Sequence, residues 1–153
     1  MTDWEPSGKN AGEMTVDCLM SIPAGREEDM ITLETLDNRF SICQIEDFAR
    51  VDICRPFCFT AATDSERSLL CPEQYVPDNI IKRDDGWKGV RIIGQLDFSL
   101  IGILSRISGI LADAQIGIFA VSTFDTDYVF TKEENFRNAL KALEKAGYEI
   151  RRK

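Results

Sequence analysis

Ile116-Gly-Ile-Phe-Ala-Val-Ser-Thr-Phe-Asp-Thr-Asp-Tyr-Val-Phe-Thr131 is the stretch that decides the fold. Ile116–Ser122 is short and almost wholly apolar, and reads as a buried strand. Phe124-Asp-Thr-Asp127 supplies the polar residues of a turn, and Tyr128–Thr131 starts the return strand. Further on, Thr131-Lys-Glu-Glu134 has capping-box spacing, and Phe136, Leu140 and Leu143 form a helical stripe. Gly147 suits the residue after a helix C-terminus, and Tyr148–Arg151 is a last strand. Moving back from the quoted stretch, Ile103, Ile107, Ile110, Leu111 and Ala114 form another helical stripe, with Asp97 or Ser99 as its cap. Trp87–Leu96 is the strand before it. The order β-α-β-β-α-β, with two right-handed crossovers, predicts a four-stranded antiparallel sheet with both helices on one face.

The N-terminal half is less regular. Met30–Leu36 alternates with Ile31, Leu33 and Leu36 inward, Asp37-Asn38 turns the chain, and Phe40–Ile45 is a second strand. Phe57–Ala61 and Ser68–Cys71 are strands joined through Thr63–Glu66, and Pro72 stops the latter because it cannot donate to a ladder. The chain thus divides into an irregular leader, 1–29, a first unit, 30–76, a polar connector, 77–86, and a second unit, 87–153. Within the leader only Met14–Ile22 is apolar enough to be a strand or a docked segment.

Composition narrows the chemistry. The chain has 153 residues and a formal charge of −8, which disfavours nucleic acid and anionic membrane surfaces as partners. It has no histidine, so the usual general base and commonest metal ligand are missing. Its five cysteines are odd in number and follow no secretory signal, which points to a reduced, cytoplasmic protein with free thiols. Cys43 and Cys71 fall in strands and read as small core residues. Cys54-x-x-x-Cys58 lacks the partners of a metal site. No cofactor motif is present.

Phe119-Ala-Val-Ser-Thr-Phe-Asp-Thr-Asp-Tyr-Val-Phe130, with Trp87-Lys-Gly-Val-Arg-Ile-Ile-Gly94 and Gly102-Ile-Leu-Ser-Arg-Ile107, resembles ACT domains of the CASTOR type over about residues 87–148. Ile31–Cys43 is similar to the opening hairpin of that family's degenerate N-terminal half, and Phe59–Cys71 to its second hairpin. The resemblance implies an α+β fold of two ferredoxin-like (ACT, βαββαβ) units, the N-terminal one degenerate. It also implies side-by-side sheet pairing, a homo-oligomer (dimer) through sheet or helix packing, a small ligand held between units, and no catalysis.

Two segments are candidates for ligand contact. The loop Ser99, Leu100, Ile101, Gly102 and Ile103 leads into a helix, whose free N–H groups attract a carboxylate. Ser122, Thr123, Phe124, Asp125, Thr126 and Asp127 form the turn at the same end of the sheet, where Asp125 would hold an ammonium or guanidinium. Both poles of an amino acid would be served. Ser65-Glu66 is a weaker candidate, a solvent-facing hairpin turn. Trp87 and Tyr128 read as core or interface anchors. The expectation is a non-enzymatic regulatory protein binding an amino acid or similar metabolite. The alternative is a ligand-free interaction module. An RNA-binding reading of the same strand order fails on the acidic charge and on Asp127-Tyr-Val-Phe-Thr131, which lacks the basic-glycine-aromatic pattern.

Overall fold

A computed structural model describes residues 31–93 and 102–153. The leader 1–29, the end of the Trp87–Leu96 strand, the cap candidates Asp97 and Ser99, and the site candidates Ser99, Leu100 and Ile101 lie outside the described residues.

The strands are β1 (Thr32–Thr35), β2 (Phe40–Ile45), β3 (Phe59–Ala62), β4 (Arg67–Pro72), β5 (Ile80–Ile93), β6 (Ile118–Ser122), β7 (Asp127–Lys132) and β8 (Glu149–Arg151). Helix α1 (Ile103–Asp113) precedes β6, and α2 (Glu133–Lys145) precedes β8. A 3-10 turn, Glu73–Tyr75, links β4 to β5. All eight strands join one mixed sheet, and with the two helices they make an α+β, ferredoxin-like architecture.

β5 is the spine. The polar stretch that reads as a connector is strand from Ile80 onward, because its first half pairs with β2 from Ile80↔Ile45 to Trp87↔Phe40. Its second half pairs with β7 on one edge and β1 on the other. β1 and β2 do not form the expected hairpin. Trp87 faces Phe40 and Lys132, while Val90 faces Thr35 and Val129, so β1 and β2 follow one another along the same edge of β5. Asp37-Asn38 is a break between collinear strands, held by Leu36 N–H donating to the Gly89 carbonyl at 2.9 Å.

This arrangement also alters the expected four-stranded sheet. β1 inserts between β5 and β8 and pairs with β8 in parallel. The local order is β6-β7-β5-β1-β8, with five strands. The buried strand expected at Ile116–Ser122 is instead a half-buried edge, β6, bonded to β7 alone among the described residues.

Two faces of this sheet carry separate cores. Leu33, Val90, Ile92 and Val129 point to the helices and meet Ile103, Ile107, Leu111, Ala139, Leu140 and Leu143. On the other face Phe130 and its neighbours Trp87, Phe119 and Tyr128 pack against Phe40, Phe57, Phe59 and Leu70 of the N-terminal half. Strand alternation sends Cys43, Ile45, Leu69 and Cys71 to a third core beyond.

Both helix starts differ from the sequence reading. Gly102 (φ 86°) is the N-cap of α1. The capping box at Thr131 does not form, because Thr131 still pairs with Ile118 and Lys88 in the sheet; Lys132 is the cap. The helix ends match each other. Gly147 (φ 101°) closes α2, with Tyr148 N–H on the Leu143 carbonyl at 3.1 Å. Gln115 (φ 58°) closes α1 in the same way, with Ile116 N–H on the Leu111 carbonyl at 2.9 Å. Ala114, expected on the apolar stripe, is exposed.

Candidate functional site

The β6–β7 turn is tightly built. Ser122 pairs with Asp127 at its base. Thr123 donates its N–H and its hydroxyl to the Thr126 carbonyl, each at 2.9 Å. The Thr126 hydroxyl then donates to the Ile92 carbonyl at 2.7 Å. This bond fixes the turn to the C-terminal end of β5. Phe124 stands out at the tip, 93% exposed, and Asp125 is exposed beside it. A short threonine-braced turn with its polar tip in solvent presents a carboxylate with little ordering cost.

Of the first candidate segment, Gly102 and Ile103 are described. Gly102 is exposed, and among the described residues a side chain there would meet nothing within 4 Å. Among the described residues no side-chain hydrogen bond caps the helix. Ile103 is buried, so only its backbone is available to a ligand. Its side chain joins the core cluster that holds Ile92, the residue to which Thr126 is bonded. No described contact joins Gly102 or Ile103 directly to the turn.

Next to the turn lies an ion pair with no counterpart in the sequence reading. Glu34 of β1 accepts from Arg91 Nε at 2.7 Å and Nη2 at 2.5 Å. Arg91 is in register with Tyr128, the residue after Asp127. Burial pushes the Glu34 carboxyl up, but the Arg91 bond and charge, with Lys153 and Arg151, outweigh it and hold the group below its ordinary range. Glu34 and Arg91 are 57 positions apart, and nothing in the sequence pairs them before β1 is known to lie beside β5.

The remaining candidates take ordinary places. The Thr63–Glu66 turn is exposed and repeats the bracing of the other hairpin, with Thr63 N–H on the Glu66 carbonyl at 2.8 Å. Trp87 and Tyr128 are half-buried aromatic anchors; Tyr128 lies 5.0 Å from Phe59, ring to ring. Cys43, Cys54, Cys58 and Cys71 are free. Burial, then the neighbouring Cys43 and Cys58, push the Cys71 thiol up to about 12. Among the described residues no three His, Cys, Asp or Glu side chains are grouped to hold a metal ion, and no helix is long and apolar enough to cross a membrane.

Residues 82–145 match the ACT domain family. Sixty residues are 37% identical to the cytosolic arginine sensor for mTORC1 subunit 1 of Homo sapiens and of Bos taurus. That stretch is 39% of this chain and 18% of the relatives, so the chain spans only a small part of their length. Among solved structures, an Agobacterium tumefaciens protein superposes with a TM-score of 0.73 at 26% identity, covering 82% of this chain and 95% of its own. The regulatory subunit of aspartate kinase from Thermus thermophilus gives 0.56 at 12% identity, covering 77% and 99%; at that identity the likeness is one of fold.

Proposed function

We propose that this chain, whose residues 82–145 match the ACT domain family and resemble the CASTOR type, is a non-enzymatic regulatory protein that binds an amino acid or similar small metabolite at an interface between ACT units. The single observation that carries this reading is the braced turn. Thr126 fastens it to the end of β5, and Asp125 is exposed at its tip, within the stretch that matches the ACT family. In this reading Asp125 takes the ligand's ammonium, and the backbone N–H groups after Gly102 take its carboxylate. Ser99, Leu100 and Ile101 complete that loop, and Ser122, Thr123, Phe124 and Asp127 frame the turn.

The division into a leader, 1–29, a degenerate ACT-like unit, 30–76, and an ACT domain, 87–153, belongs to the same proposal. The matching brace in the two hairpin turns supports it. A homodimer belongs to the proposal too, and β6 offers it an outer edge that no described strand occupies. A cytoplasmic setting suits the free, buried thiols of Cys43 and Cys71.

A thermal-shift screen with the common L-amino acids tests the binding role, since a ligand that binds only the folded state raises Tm. Stabilisation by one of them supports it. A second reading, a ligand-free interaction module, draws on the exposed Phe124 and the open β6 edge. A flat response at millimolar concentrations would favour that alternative.

A further inference from the structure

Where β1 gives way to β2, the break in the strand borders an open, solvent-facing cleft of about 600 Å³, comparable in volume to small-molecule sites. Asp37, Asn38 and Arg39 line it, facing Glu73 and Gln74 of the 3-10 turn, and Arg83 of β5 completes it. Several of these groups have partners of their own at the surface. Arg39 gives its carbonyl to Glu73 N–H at 2.9 Å and its Nη2 to Glu133 at 2.8 Å. Arg83 gives Nε to Asp85 at 2.6 Å. Glu73 accepts the N–H of Gly86 at 2.9 Å. Arg39 is thus held by Glu133 outside the lining and approaches Glu73 within it at 4.0 Å, while Arg83 is held by Asp85 outside it; a guanidinium has five N–H donors, more than these contacts use.

The lining carries two cations, Arg39 and Arg83, and two anions, Asp37 and Glu73. A simple anion would meet Asp37 and Glu73, and a simple cation would meet the arginines. A molecule with both charges meets neither penalty. We propose that this cleft is a second small-molecule site, for a zwitterion whose carboxylate lies on Arg39 and Arg83 and whose ammonium lies on Asp37 and Glu73. Asn38 and Gln74 supply neutral donors and acceptors for its remaining polar atoms. At about 3.3 Å of rise per strand residue, β5 carries Arg83 roughly 25–30 Å from Ile92, so this site is independent of the β6–β7 turn.

The test is an amide NMR titration of the whole chain with the common L-amino acids, one at a time, and with acetate and methylammonium as single-charge controls. At least one amino acid is expected to give saturable shifts at Asn38, Arg39 and Gln74. The same shifts are expected in Asp125→Ala, with affinity lowered about tenfold or more in Arg83→Gln, the usual effect of losing a charged hydrogen bond. Arg39→Gln is the second variant should Arg83→Gln fail to fold. The proposal is overturned if no amino acid produces saturable shifts there below about 10 mM, if acetate or methylammonium alone reproduces them, or if the arginine variants leave them unchanged. Shifts that vanish in Asp125→Ala would likewise overturn it and assign the binding to the turn.

Discussion

Gly89 shows how closely single residues are specified. A Cβ at this position would lie 2.6 Å from the Phe130 ring and 3.2 Å from Leu36, and Phe130 is fully buried. Gly89→Ala is expected to cost roughly 1–3 kcal/mol by overpacking, a fall in Tm of roughly 3–9 °C for a chain of this size. Glu34 and Arg91 set a different kind of constraint. Losing Arg91 leaves the Glu34 carboxylate buried without its main partner, so Arg91→Met should destabilise more than the double change Glu34→Gln/Arg91→Met. Because the Glu34 carboxyl is held below its ordinary range, its stabilisation is present above the unfolded value near 4 and is lost as pH falls through the folded one. Thermal melts from pH 7 down to pH 3 should therefore show a steeper acid loss in the parent chain than in Glu34→Gln. The cysteines separate by exposure. Iodoacetamide at pH 8 should label Cys54 in the native state and leave Cys43 and Cys71 untouched until unfolding, as mass mapping would show.

At the scale of elements, the helices were legible and their ends only partly so. The stripes Ile103–Ile107–Leu111 and Leu140–Leu143 are buried as the periodicity requires. Gly147 announces the end of α2, whereas α1 ends on Gln115 in the same left-handed conformation, which no residue type advertises. The strain there is removable: Gln115→Gly is expected to stabilise by about 1 kcal/mol, and Gly147→Ala to destabilise by a similar amount, both measurable by urea unfolding. Thr131 misleads at the other end, because a capping-box sequence competes with continued strand pairing and the sheet wins. β2 and the two hairpins follow from alternation and turn chemistry. The polar first half of β5 does not: Lys82, Arg83, Asp84 and Asp85 are exposed, and exposed strand residues carry no hydrophobic signal.

At the scale of the whole molecule, local patterns stop being informative. The insertion of β1 between β5 and β8, and its collinearity with β2, depend on pairing between residues far apart in sequence, which periodicity does not encode. The same holds for the aromatic core that joins the two halves. The candidate site was legible where a turn is a local matter, at Ser122–Asp127; its attachment to Ile92 through Thr126 was not. The central claim is that this attached turn receives an amino acid. Isothermal titration of the parent chain and of Asp125→Ala with the common L-amino acids tests it most directly. One amino acid should bind the parent and bind Asp125→Ala tenfold or more weakly, the loss of about 1.5–3 kcal/mol that a charged hydrogen bond carries. Equal affinity in the two proteins, or no heat from any amino acid, would contradict it.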